Sequence, residues 1–207
     1  MRIFVGLDID SEIRARMTRF LEGVRGFAPD VRWVKPESFH VTLKFIGEQK
    51  PEQVEQVKRE LARVHVPPFD VSFRGHGFFP NPCSPRVFWL GIVAGDDAQS
   101  PGPADCARLG ELAAAVDEAV ARSGVPRETQ PYRPHLTLAR SGSGSPRPKP
   151  ADRPAPALRR VAEKLVGMPE PDFGTMTARE FYLYESKLGP GGAKYTKVAR
   201  FPLETAM

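Results

Sequence analysis

Apolar residues in this chain recur with two periods, and the switches between those periods mark its elements. Arg2–Ile9 alternates and is rich in β-formers, which predicts a first strand. After Asp10 or Ser11 as a cap, Ile13, Met17, Phe20, Leu21 and Val24 fall at helical spacing and predict a helix to about Gly26. Val31–Val34 reads as a short extended piece stopped by Pro36, and His40–Ile46 as a strand ended by Gly47. Pro51 suits the first turn of a second helix that carries Val54, Val57 and Leu61 on one stripe and reaches Val64, before Pro67-Pro68. Phe69–Phe79 and Arg86–Val93 form a predicted hairpin around Pro80-Asn81-Pro82. Gly95–Pro103 reads as a loop, Ala104–Ser123 as a helix ended by Gly124, and His135–Ala139 as a strand. Ser, Gly and Pro dominate Ser141–Pro156, the composition of a mobile polar loop. A helix over Ala157–Val166 and strands at Ala178–Tyr184 and Tyr195–Leu203, turning at Gly189–Gly192, complete the pattern.

The order of elements repeats. Phe4-Val5-Gly6-Leu7, helix, His40 strand, helix and Phe69–Phe79 match Phe88-Trp89-Leu90-Gly91, helix, His135 strand, helix and Ala178–Tyr184. This duplication of about 85 residues predicts an α+β fold. Its two lobes, roughly 1–85 and 86–207 of a single domain over 1–207, would be related by a pseudo-two-fold axis. Antiparallel sheets with outer helices would then enclose a central cleft, because strands that follow strands exclude an all-parallel sheet.

The two predicted motif strands open with the same tetrapeptide pattern. His40-Val41-Thr42-Leu43 returns as His135-Leu136-Thr137-Leu138, 95 residues later (135 − 40). Strand side chains alternate faces, so each copy presents an imidazole beside a hydroxyl while Val41 or Leu136 points into a core. Two imidazoles can work as an acid–base pair near neutral pH, and two threonine hydroxyls can donate to non-bridging oxygens of one phosphate. His65 and His76, the other histidines, lack the pattern and read as structural or exposed. Lys44 shares the parity of His40 and so reads as a cation on the cleft face or, solvated, at its rim. Trp33 and Tyr132 precede the two motifs and read as core packing that reaches toward the cleft mouth.

Bulk properties narrow the class further. Charge is uneven within a net +5: residues 125–164 hold nine basic and three acidic side chains, a block that suits a polyanionic partner as well as it suits a solvated basic face. No apolar run approaches a membrane span and no signal-peptide core opens the chain, so a cytoplasmic protein is expected. Cys83 and Cys106 sit apart in loop-like stretches and suggest neither a disulfide framework nor a zinc site. With no carboxylate cluster or metal-ligand spacing beside the histidines, the expected chemistry is metal-independent phosphoryl transfer without a cofactor.

The extended runs Arg32–Gly47 and Pro131–Arg140, with the ending Leu183-Tyr184-Glu185-Ser186 through Tyr195 to Phe201-Pro202-Leu203, resemble the two-histidine (2H) phosphoesterase superfamily. Within it the chain resembles the RNA 2′,3′-cyclic phosphodiesterases, also called 2′-5′ RNA ligases of the bacterial and archaeal type. The similarity covers essentially the whole chain; the Gly95–Pro103 and Ser141–Pro156 loops look longer than usual. The resemblance implies hydrolysis of a terminal 2′,3′-cyclic phosphate to a 2′-phosphomonoester. It makes His40 the proton donor to the leaving 3′ oxygen and His135 the proton acceptor from water, a division the motifs themselves do not make. Thr42 and Thr137 carry over as phosphate binders, and Arg140 matches the arginine that closes the second family motif. Strict alternation turns position 140 away from the His135 face, so this role requires the strand to end or twist after Ala139. Phe45 stands at the same offset from its histidine, which pairs Phe45 and Arg140 as an aromatic and a charged surface for the terminal nucleotide, against ordinary core packing for Phe45. The partner is then an RNA with a 2′,3′-cyclic phosphate end or a small cyclic nucleotide, and the protein is expected to be a monomer. Three other readings stand beside it: 2′-5′ RNA ligation by the same residues in reverse, a non-catalytic RNA-end-binding module, and another cyclic-phosphate metabolite of nucleotide or ADP-ribose type. Two complete titratable motifs speak against the module, and the basic block favours RNA over the metabolite.

Overall fold

Period-two runs become the strands of two antiparallel sheets. The computed structural model describes residues 1–94, 107–141, 156–189 and 192–205. The expected loop at Gly95–Pro103, the start of the helix expected from Ala104, most of the Ser141–Pro156 loop and the tip of the last turn lie outside them. In chain order the elements are β1 (Arg2–Asp8), α1 (Ser11–Val24), β2 (Arg32–Trp33), β3 (His40–Glu48), α2 (Pro51–Leu61), β4 (Phe69–Phe79), β5 (Val87–Ala94), α3 (Ala107–Arg122), β6 (His135–Arg140), α4 (Pro156–Leu165), β7 (Asp172–Ala178), β8 (Glu180–Gly189) and β9 (Gly192–Pro202).

One sheet has the order β3-β1-β8-β9 and the other β2-β6-β5-β4-β7. The α+β class and its antiparallel sheets are as the pattern predicts, but the division at residues 85 and 86 does not follow the sheets. In each sheet the motif strand pairs with the opening strand of its own half, and that strand pairs with the late strand of the other half: β3-β1-β8 against β6-β5-β4. Exchange of β4 and β8 makes each sheet from both halves. A single continuous core then joins them, with Val5, Val41 and Leu183 of one sheet in the same cluster as Phe88, Leu90 and Leu136 of the other. Full burial of a side chain of this size stabilises by ~1.5–3 kcal/mol, so neither half could leave the other without exposing much of that core.

Two boundaries differ from the pattern. A single strand was predicted at Ala178–Tyr184, whereas β7 and β8 are separate strands on different sheets, broken at Arg179. The β7 signal is short of apolar residues because it alternates through Thr175 and Thr177, and Gly174 takes a positive φ of 97° at its start. The second helix closes at Leu61 rather than Val64; Arg63 and Val64 donate to Glu60 and Leu61 in a tighter last turn. Among the described residues no helix is long and apolar enough to cross a membrane.

Candidate active site

The two motif strands share a local irregularity that alternation does not anticipate. On β3, Thr42 pairs with Gly6 and Lys44 with Val5, so Leu43 has no partner; on β6, Thr137 pairs with Trp89 and Ala139 with Phe88, so Leu138 has none. The Leu of each motif is therefore a β-bulge, and an extra residue re-aims every side chain beyond it. Both strands consequently show one burial sequence: half-buried His, buried Val41 or Leu136, half-buried Thr, two buried residues, then an exposed one.

This bulge returns the fifth residue to the histidine's face. Arg140 Nη2 lies 3.4 Å from Thr137 Oγ1, on the side that carries His135, which meets the requirement that plain alternation fails. Phe45 is 61% exposed and its ring lies 6.0 Å from Phe4, which in turn lies 4.7 Å from the His40 ring. Core packing is thus excluded for Phe45. The same bulge corrects the reading of Lys44, which is on neither the cleft face nor its rim. It is 5% exposed, turned beneath the sheet, with Nζ donating to Asp117 at 2.5 Å and to the Pro126 carbonyl at 3.1 Å. Ala139 occupies the matching place in the other strand.

Each imidazole is oriented in the same way. His40 Nδ1 lies 2.8 Å from the Ser38 carbonyl and His135 Nδ1 lies 2.8 Å from the Arg133 carbonyl. A carbonyl only accepts, so Nδ1 carries the proton in both rings and Nε2 is left to take or give one. The two strands run close where the sheets meet. Arg140 reaches across: its charge bears on His40, His135 and Tyr195 together. Trp33 and Tyr132 pack half-buried against the main core. Tyr132 also braces the crossing by donating to the Thr42 carbonyl at 3.0 Å, as does the Val34 main chain, which donates to the Leu138 carbonyl at 2.8 Å.

Burial first, and then the Arg140 and His135 charges, push the His40 pKa down to about 4, against the opposing pull of the Ser38 carbonyl and the Asp8 carboxylate. Burial and Arg140 also lower His135, again against its backbone bond. Both shifts favour neutral rings at pH 7. An anion bound between them would cancel the Arg140 charge and raise both.

Several cleft residues escaped the sequence reading. On β1, Phe4, Gly6 and Asp8 alternate on one face, with Asp8 directly across from His40. Phe4 stacks on Tyr184 at 5.0 Å, and Tyr195 meets the His40 ring edge-on at 4.9 Å, forming an aromatic cluster apart from the main core. Beside His135, Phe79 lies 5.3 Å away and stacks on Trp89 at 5.0 Å. The signal was present as alternation in Phe4-Gly6-Asp8 and Tyr182-Tyr184, but without the register nothing linked those strands to the motifs. His65 is exposed, and His76 packs its ring edge against Phe78 and Phe88, so neither belongs to the cleft. Cys83 is exposed and unbonded. Among the described residues no group of three or more His, Cys, Asp and Glu side chains is placed to hold a metal.

Twin bulged strands that aim two imidazoles, two threonines and an arginine at one cleft define a two-histidine phosphoesterase. The chain belongs to the family described as LigT like phosphoesterase, which it matches over residues 7–89 and 101–195. It is 32% identical to the RNA 2′,3′-cyclic phosphodiesterase of Archaeoglobus fulgidus over 97% of this chain and 99% of that protein. With the Thermus thermophilus protein of the same name the identity is 34%, over 98% of this chain and 90% of the other. Among solved structures, E. coli LigT in complex with 3′-AMP superposes with a TM-score of 0.71 at 27% identity, covering 98% of this chain and 97% of that one.

Proposed function

We propose that this protein hydrolyses RNA 2′,3′-cyclic phosphate ends to 2′-phosphomonoesters without a metal ion, with His40 as general acid and His135 as general base. The observation that carries the reading is the paired bulge, which puts the His, the Thr and the fifth residue of each strand on one face, that fifth residue being Arg140 on β6. Relatives of near-identical length that are named RNA 2′,3′-cyclic phosphodiesterase support the substrate.

The cyclic phosphate monoanion sits between the strands, with Thr42, Thr137 and Arg140 donating to its non-bridging oxygens. Its negative charge offsets Arg140 and, added to that of Asp8, opposes the burial that lowers His40 and favours a proton on that ring. Water attacks phosphorus as His135 Nε2 removes its proton; the P–O3′ bond breaks and His40 Nε2 delivers its proton to the 3′ oxygen. A 2′-phosphomonoester and a free 3′-hydroxyl leave, and solvent exchange resets the two rings. Charge added to the non-bridging oxygens in the transition state strengthens the three donor contacts, which is where they accelerate the reaction. Phe45 supplies a stacking face for the terminal base.

The test is turnover of a short RNA with a 2′,3′-cyclic phosphate in EDTA, with 2′- and 3′-phosphate products resolved. Wild type forms the 2′-phosphate; His40→Ala and His135→Ala each lose about 10²–10⁴-fold in kcat. A substrate with sulfur at the 3′ bridging position expels a thiolate that needs no acid, so it restores His40→Ala and not His135→Ala. Restoration of the other variant would reverse the assignment, and no turnover by wild type would overturn the reading.

A further inference from the structure

We infer that Asp8, clamped by Arg14 and Lys197, is a positioning residue that favours a proton on His40 against that ring's deeper burial, a charge partner that His135 lacks. This rests on the acid–base reading above. The two motifs are alike in backbone, in bulge and in the carbonyl that holds Nδ1, so the split between acid and base must come from their neighbours. The cross-strand partner of His40 is Asp8, and that of His135 is Gly91. Directly opposed residues project to the same face, so a carboxylate stands beside one imidazole and a hydrogen atom beside the other. The difference is enforced sterically. A Cβ at Gly91 would meet the Arg74 carbonyl oxygen at 2.4 Å, so no carboxylate can be accommodated at the matching place.

Asp8 is itself fixed. Its Oδ1 accepts from Arg14 Nη2 at 2.7 Å and from the Ile9 amide at 2.9 Å, and its Oδ2 from Lys197 Nζ at 2.5 Å. These donors hold its pKa below the usual range despite burial, keeping it ionised wherever the histidines titrate. Arg14 also donates to the Pro36 carbonyl at 2.5 Å, in the turn whose Ser38 carbonyl orients His40. One arginine therefore ties the carboxylate to the turn that sets the ring.

The groups facing His40 are Asp8 from β1, Tyr184 from β8, Tyr195 from β9, and Arg140 and His135 from β6. Those facing Asp8 are Arg14 from α1, Lys197 from β9 and Tyr184 from β8, with Tyr182 under the Lys197 ammonium at 3.9 Å. Of these only Asp8 carries negative charge beside His40, and Arg14 and Lys197 are the cations that temper it.

The experiment is the pH profile of kcat, which reports the substrate-bound enzyme, for Asp8→Asn and Lys197→Met on the oxygen and 3′-sulfur cyclic phosphates, with folding checked by circular dichroism. The alkaline limb of the oxygen reaction reports loss of the acid's proton. Asp8→Asn moves that limb acidward by about one pH unit, a loss of about tenfold above it, and Lys197→Met moves it the other way. On the sulfur substrate, which needs no acid, Asp8→Asn approaches wild type, and Asp8→Glu recovers most of the oxygen activity. Superimposable limbs for wild type and Asp8→Asn overturn the inference, as do equal losses on both substrates, which would make Asp8 merely structural. Failure of the underlying reading is distinct: wild type itself would then show no turnover, or no sulfur rescue of His40→Ala.

Discussion

β3 and β6 carry the same bulge, the same burial sequence and the same Nδ1-to-carbonyl bond, yet the strands beside them differ. Next to His40 stand Gly6 and Asp8; next to His135 stand Trp89 and Gly91. Gly6 lets the His40 ring settle onto the sheet, where a Cβ would lie 2.8 Å from the Val41 carbonyl and 3.5 Å from the ring. In the other sheet the size relation is reversed: Trp89 lies across Gly77, where a Cβ would meet the indole at 2.2 Å. The deeper seat is why His40 suffers the heavier desolvation. Duplicated backbone supplies two equivalent acid–base groups, and unequal neighbours then give them unequal pKa values.

The sharpest way to break the comparison is at the residue after the bulge, which is Lys44 on β3 and Ala139 on β6. Lys44→Ala leaves Asp117 with the Glu128 amide as donor but without the ammonium, whose contact lowers its pKa against its own burial. Breaking one side of a buried pair costs about 3–5 kcal/mol, read as a lower urea midpoint with the m-value unchanged. Activity per folded molecule should hold, since the pair lies beneath the sheet. Lys44→Met with Asp117→Leu should recover most of the stability and make this strand resemble its counterpart; no recovery would mean the ion pair is needed for more than charge balance.

Acid sharpens it next. A His whose folded pKa lies below its unfolded value contributes stability above the unfolded pKa and loses it as pH falls. For His40 the window runs from 6.5 down to about 4, worth about 3 kcal/mol over that span. The carboxylates of Asp8, Asp117 and Asp172 are lowered from 3.8, so their losses begin at about pH 5 and fall mostly below that window. His40→Gln should therefore flatten the fall in melting temperature between pH 6.5 and 4.5 more than His135→Gln does. Equal flattening would contradict the deeper seat of His40.

At the fifth position the strands present Phe45 and Arg140. Arg140→Ala removes a charged donor and should raise KM for a 2′,3′-cyclic nucleotide about 10–100-fold, less in high salt. Phe45→Ala removes one stacking face and should raise KM about 5–10-fold with little salt dependence. An unchanged KM for Phe45→Ala would remove the stacking role.

Much of this was legible because it is periodic or local. The helical stripes, the hairpin at Pro80-Asn81-Pro82 and the twin His-x-Thr-Leu units each sit within a short window of sequence. What sequence hid was register. The bulges at Leu43 and Leu138 invert parity, so Lys44, assigned to the cleft by alternation, belongs to the interior, while Arg140 comes back to the cleft. Asp8, Tyr184 and Trp89 could not be tied to the histidines because cross-strand pairing joins residues far apart in the chain. The exchange of β4 and β8 was hidden for the same reason: two halves can repeat in order while their strands pair across.

The smallest expected effect concerns how the two strands are held at one spacing. One tie runs through main chain, Val34 N–H to the Leu138 carbonyl, and cannot be removed by a side-chain change. Its opposite number is a side chain: the Tyr132 hydroxyl donates to the Thr42 carbonyl, beside a phosphate-binding threonine. Tyr132→Phe keeps the ring packed on the core and deletes only that donor, so stability should fall by about 1 kcal/mol. If the bond merely adds stability, kcat is untouched. If it sets the spacing of the two motifs, kcat falls a few-fold while KM and the melting temperature move little further, because small misplacements act on the transition state more than on binding. A loss beyond 100-fold would instead require Tyr132 to touch the reacting phosphate, which its position against the core and its bond to main chain oppose.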